Sequence, residues 1–242
     1  LGVALLTPRT YLGRMKSAHL PSLWTSLGEI RLLNDFVRGW LAEDELAADH
    51  DGEGRPVIVL PGLFTSDART AMARRVLRKA NYHAYGWGLG FAAPVREDTL
   101  SRFGQRVDEV VAREGAPVAL IGWSLGGLIA REYAKVAPEK IDKVVTLGSP
   151  IAGDPRHNRA WRAYEWAAGH SVDDMPLNVV RERKPPVETI AIWSAADGII
   201  PPHASRGEPH MHDRAIEVSC GHLSMMNAPD ALAAVLTALS RG

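Results

Sequence analysis

The 242-residue sequence predicts an α/β protein built on a mostly parallel sheet that is covered by helices on both faces. Three observations lead there. Short runs such as VIVLPG, VALIGWS and ETIAIWSAAD are almost wholly apolar, as strands buried on both faces must be. Longer amphipathic segments alternate with them, and 46% of the chain is hydrophobic, enough for one large core.

In chain order, residues 21–46 place Leu23, Trp24, Leu27, Ile30, Leu33, Val37, Trp40 and Leu41 at spacings of three and four, which predicts one long amphipathic helix. Its apolar stripe suits packing against the main body, with peripheral contact to a membrane or a partner as the alternative. Residues 47–55, AADHDGEGR, are polar and glycine-containing and read as a linker. Residues 1–55 then form an N-terminal helix and linker, and residues 56–242 the main domain. VIVLPG reads as a strand, Ala68 to Ala80 as a helix, YHAYGWGLG as a strand, Thr99 to Glu114 as a helix, VALIGWS as a strand and Leu125 to Val136 as a helix. KVVTLGSP, ETIAIWSAAD and RAIEVSCGH supply further strands, and Pro229 to Ser240 a final helix. Residues 151–186 are too long for an ordinary connection and carry Trp161, Tyr164 and Trp166, which predicts a small helical cap.

Composition removes several function classes. Basic and acidic residues each number 28, so no net field attracts nucleic acid or an anionic surface. The single cysteine, Cys220, allows neither an internal disulfide nor a cysteine metal cluster. The opening LGVALLTPRTYLGR lacks a basic flank and a small-residue cleavage site, and is too short to span a bilayer. Cytoplasmic location is therefore the default expectation, and a start at Leu1 is what a processed or trimmed product would show.

The chemistry concentrates at Gly122-Trp123-Ser124-Leu125-Gly126. This is G-x-S-x-G between a predicted strand and a predicted helix, the setting that a nucleophile elbow demands. A serine hydroxyl needs a base to take its proton and an acid to orient that base. Asp197 follows the strand ETIAIWSA, and His222 follows RAIEVS, so both arrive in order at one sheet edge. Among rivals, Asp173 and Asp174 lie in the insertion, and Asp154 follows KVVTLGSP too closely to be preferred. His203, His210 and His212 sit in a polar loop where solvated histidines are expected.

Residues 56–240 resemble the α/β hydrolases of the bacterial lipase and esterase type, through VIVLPGLFTSD, HAYGWGLG, GWSLGG, VVTLGSPIAGD, SAADGIIPP and SCGHLSMMNAPD in family order. The resemblance implies an α/β-hydrolase fold and a serine hydrolase cleaving carboxylic esters, with Ser124, Asp197 and His222 as its triad. It further implies an oxyanion hole from the backbone N–H groups of Leu63 and Leu125. Pro61-Gly62 stands where the family often has His-Gly, which keeps the backbone donor and removes a histidine contact. The expected substrate is a small-molecule ester or a lipid, with Phe64, Trp123, Trp161 and Tyr164 as candidate contacts. No cofactor is expected, because each step uses protein groups and water. No metal is expected either, since the carboxylates form no cluster of the kind calcium needs. An acyltransferase using the same triad and a non-catalytic lipid- or ligand-binding module are the alternatives, whereas a dehalogenase would want aspartate at position 124.

Overall fold

Residues 34–154, 156, 161–169, 171 and 183–240 are described by the computed structural model. Among the described residues six runs form strands, most of them rich in β-branched and aliphatic residues: β1 (Pro56–Leu60), β2 (His83–Gly86), β3 (Val118–Trp123), β4 (Ile141–Leu147), β5 (Glu188–Ser194) and β6 (Arg214–Val218). They pair in parallel in the order β2-β1-β3-β4-β5-β6, so every described strand end that follows a strand lies on one edge of the sheet.

Side-chain alternation splits the core into two layers. On β1, Val57 and Val59 enter one layer, while Ile58 and Leu60 enter the other. The first layer is closed by α1 (Glu43–Ala48), α2 (Ala71–Lys79) and α7 (Pro229–Leu239). The second is closed by α3 (Thr99–Glu114), α4 (Leu125–Val136) and α5 (Trp161–Ala168). The short α6 (Pro202–Arg206) precedes β6. Helix α3 ends where Gly115 takes the left-handed conformation at φ 67° and donates to the Val111 carbonyl. α4 runs beneath α3 and is buried from Leu125 through Ala134. Among the described residues no helix is long and apolar enough to cross a membrane.

The N-terminal helix differs from expectation. Its first part, residues 21–33, lies outside the described residues. Residues 34–41 are helical, Ala42 forms a turn, and α1 follows, so the predicted single helix is interrupted. The described members of the stripe expected to pack inward face solvent: Val37 is 44%, Trp40 52% and Leu41 70% exposed. Contact is made instead by the opposite side. Gly39 has no side chain, and a Cβ there would lie 2.0 Å from the Asn227 carbonyl oxygen. Buried Glu43 forms ion pairs with Arg75 and Lys79 of α2, at 2.8 and 2.9 Å. The linker is equally well tied down. Gly52 N–H donates to the Ala80 carbonyl at 2.7 Å, and Arg55 donates to the Gly52 and Leu239 carbonyls and to the Tyr82 hydroxyl.

Packing of α4 back onto β3 admits no side chain at Gly122, where a Cβ would stand 2.4 Å from the Gly126 oxygen and from backbone atoms of Gly127. Gly122→Ala is therefore expected to destabilise the fold by about 3 kcal/mol or more. Gly221→Ala, where nothing lies within 4 Å of the added methyl, is expected to leave stability near wild type. Chemical denaturation of the two variants checks this.

Candidate active site

Ser124 sits between β3 and α4 with φ 54° and ψ −118°, one of four non-glycine residues with positive φ among the described residues. Such a conformation costs about 1–3 kcal/mol and persists only where its surroundings hold it. Here the Ser124 N–H donates to the Leu147 carbonyl at the end of β4, at 2.9 Å. Glycines supply the space: a Cβ on Gly126 would lie 2.6 Å from the Pro61 oxygen, and one on Gly127 would lie 2.0 Å from Ser149 Oγ. Ser149 is itself buried, in van der Waals reach of the elbow.

Asp197, in the loop after β5, and His222, in the loop after β6, meet at the same edge. His222 Nδ1 and Asp197 Oδ2 are 2.7 Å apart, with both side chains almost wholly buried. The other carboxylate oxygen, Oδ1, accepts the N–H groups of Ile199 and Ile200, each at 2.8 Å. A buried carboxylate needs such partners. With Nδ1 committed to the carboxylate, Nε2 of the imidazole is the nitrogen left for a reacting partner. The Ser124 hydroxyl makes no hydrogen bond among the described residues; links of this kind often tighten only when substrate binds.

Gly148, just past β4, was not singled out by the sequence and is tightly placed. It has φ 54°, and a Cβ there would lie 3.0 Å from Asp197 Oδ2, 3.0 Å from His222 Nδ1 and 2.7 Å from Met225 Sδ. The signal that could have found it is a glycine directly after an apolar strand, in the same relation to β4 that the elbow has to β3.

The loop after β1 carries Leu63 and Phe64. Phe64, at φ 60°, donates its N–H to the Ala92 carbonyl at 2.8 Å, while Thr65 donates its N–H and hydroxyl to the Gly62 carbonyl. The Leu63 N–H has no acceptor among the described residues. The N–H of Leu125, at the first position of α4, has no intrahelical acceptor to reach. Phe64 is partly exposed and stacks on exposed Phe91, with ring centroids 6.4 Å apart. Trp123 is 3% exposed, its indole packed beneath Gly62, so it shows almost no surface to a ligand.

Within the insertion, Tyr164 is buried in the same layer as Leu125 and Trp87, and burial pushes its phenol up to about 12. Trp161 is half-buried and Trp166 is exposed. Asp154 is exposed and accepts the Arg156 N–H, Asp173 and Asp174 lie outside the described residues, and His203 and His210 are exposed. His212 departs from the solvated expectation. Its two ring nitrogens are buried, and burial followed by the charges of Arg131 and Arg206 lowers its pKa.

A family model described as "alpha/beta hydrolase fold" matches residues 114–184. The chain is 28% identical over 114 residues to the pimeloyl-[acyl-carrier protein] methyl ester esterase of Aliivibrio fischeri, covering 46% of this chain and 42% of that protein. It is 33% identical over 121 residues to the protein of the same name from Aliivibrio salmonicida, covering 48% of this chain and 44% of that one. The matched region thus spans less than half the length of these curated relatives. Among solved structures, the mature lipase BlEst2 of Bacillus licheniformis superposes with TM-score 0.58 at 13% identity, covering 80% of this chain and 95% of that one. An α/β hydrolase enzyme from the sediment metagenome of the Mar Chica lagoon superposes with TM-score 0.54 at 22% identity, covering 77% and 90%. At those identities the likeness establishes the fold alone.

Cys220 lies two residues before His222, and burial, followed by the charges of Asp230 and Asp35, pushes its thiol up to about 12. A thiol that stays protonated is not a nucleophile. The native protein is expected to be unreactive toward Ellman's reagent at pH 8 and to release one equivalent of thionitrobenzoate once unfolded in guanidinium. Prompt reaction in the native state would show the thiol to be accessible and ionised.

Proposed function

We propose that this chain, an α/β hydrolase by fold, cleaves carboxylic esters through a covalent acyl-enzyme on Ser124. The observation that carries the reading is the buried Asp197–His222 hydrogen bond at 2.7 Å, on the same sheet edge as a serine held at positive φ. In the proposed cycle His222 Nε2 takes the Ser124 proton as Oγ attacks the ester carbonyl. Asp197, fixed by its two backbone donors, holds Nδ1–H and stabilises the imidazolium. Negative charge growing on the carbonyl oxygen meets the N–H groups of Leu63 and Leu125, which are not committed elsewhere. Collapse of the tetrahedral intermediate breaks the C–O bond to the alcohol, which leaves with the proton from His222. Water, deprotonated by the same imidazole, then releases the acid and restores the serine.

The names of the curated relatives are those of enzymes acting on a methyl ester, and an ester of a small alcohol is the substrate class proposed here. Partly exposed Phe64 and Phe91, with half-buried Trp161, offer apolar surface for an acyl chain, and the cap expected over residues 151–186 is represented among the described residues by α5, with 155, 157–160, 170 and 172–182 outside them. Tyr164, buried against the body, anchors that cap.

A series of p-nitrophenyl esters of increasing acyl length tests the reading. Ser124→Ala and His222→Ala are expected to lower kcat by about 10³-fold or more, with a smaller loss for Asp197→Asn. Ser124→Ala should also abolish labelling by a fluorophosphonate probe while the melting temperature holds. Labelling that persists in Ser124→Ala would place the nucleophile elsewhere.

A further inference from the structure

His222 has to be brought back to Ser124 across the sheet. In the strand order β3-β4-β5-β6, two strands separate the end of β3 from the end of β6. At about 4.8 Å per strand the gap is roughly 14 Å, so the loop after β6 must run back over β5 and β4 before its imidazole can serve a serine after β3. Asp197 holds the ring but follows β5, and so leaves the remaining distance unspecified.

The second hold is made by Trp123, the residue that directly precedes the serine. Its indole Nε1–H donates to the His222 carbonyl oxygen at 3.1 Å, in a buried contact. The two rings lie 5.6 Å apart, tilted at 43°. The far end of the indole supports the loop after β1, where a Cβ on Gly62 would be 3.0 Å from Trp123 Cε3. Arg69, on the one-turn helix Asp67–Thr70 that continues this loop, places its guanidinium over the indole, 5.5 Å from the ring centroid. Its Nη2 donates to the Leu223 carbonyl, one residue past the histidine. With the Asn227 amide turned so that its oxygen faces Arg69, Nη1 donates to that oxygen at 2.5 Å and the amide nitrogen donates to the Met226 carbonyl at 3.0 Å.

We infer that Trp123, clamped from outside by Arg69, is the positioning residue that sets the main chain of His222 relative to Ser124. The indole donor and the nucleophile are adjacent in sequence, so the distance between serine and histidine is set by one hydrogen bond beside the elbow rather than by the accumulated geometry of four strands. The same ring supports the loop that carries Leu63, so the base and the proposed oxyanion donor are referred to a single side chain. The inference rests on the proposed roles of Ser124 and His222.

Trp123→Phe keeps an aromatic ring under Gly62 and removes the donor together with part of the indole's volume; Arg69→Met keeps the aliphatic stem and removes the charge and the hydrogen bonds. With p-nitrophenyl acetate, each is expected to lower kcat about tenfold with KM little changed, and to slow fluorophosphonate labelling of Ser124 in proportion. Thermal melting run alongside is expected to show folded protein. The double variant is expected to lose no more than the worse single, because both act on one loop. Arg69→Lys, which keeps one donor, is expected to recover part of the loss. A near-wild-type kcat in folded Trp123→Phe overturns the positioning role, as does a raised KM at unchanged kcat, which would make Trp123 a substrate contact. Should Trp123→Phe fail to fold, Arg69→Met and Arg69→Lys decide the matter by the same kcat criterion. Ser124→Ala measured in parallel separates the two readings. Its retained activity would overturn the nucleophile and this inference with it, whereas an inactive Ser124→Ala beside a fully active Trp123→Phe would overturn the inference alone.

Discussion

Close approach of backbone to backbone at the elbow is the constraint from which the rest of the site follows. β3 turns into α4 with so little clearance that Gly122, Gly126 and Gly127 each lack room for a single carbon. That tightness holds Ser124 at positive φ and leaves the first N–H of α4 beside it without an intrahelical acceptor. It also drives α4 deep into the body, where even Arg131 and Glu132 are buried. Arg131 uses that position to donate to the Met211 carbonyl at 2.9 Å, tying the elbow helix to the segment that leads into β6.

Charge burial is managed by the same economy of space. The Asp197 carboxylate is enclosed, and its partners are two backbone N–H groups and one imidazole. Gly148 leaves the gap through which carboxylate and imidazole meet. A methyl group at that position would press on both members of the pair and on Met225, so the side-chain-free strand end belongs to the electrostatics as much as to the turn.

Local signals in the sequence mark an element's bounds where periodicity and end signals agree. The spans expected for α3 and α4 match the structure to the residue, because apolar spacing, Gly115 and the elbow glycines all mark the same boundaries. What depends on contacts distant in sequence was not legible. β2 stops at Gly86 because the Asp67 carboxylate accepts the N–H groups of Trp87 and Gly88, which bends the chain out of the sheet. The helical stretch before α1 turns its apolar side outward because Gly39 and Glu43 make the contacts, and the hydrophobic pattern records neither close approach nor ion pairing. At the site, Ser124, Asp197 and His222 are candidates that order and setting can name, and the structure joins the last two through one hydrogen bond between the loops after β5 and β6. Burial of His212, the place of Gly148 and the link from Arg69 through Trp123 to His222 join segments up to about 150 residues apart, and no local pattern encodes them.

Arg55 and its neighbours sit at the opposite edge of the sheet, just ahead of β1. His50 Nδ1 lies 3.2 Å from Ser240 Oγ, and Arg55 reaches the Leu239 carbonyl, so the entry into the sheet and the exit from the last helix form a single seam. β1 puts five residues, about 16 Å of extended chain, between this seam and the loop bearing Leu63. A tether, resin linkage or reporter domain joined after Ser240 therefore departs from the back of the molecule, and an immobilised preparation keeps its serine face open to the solution.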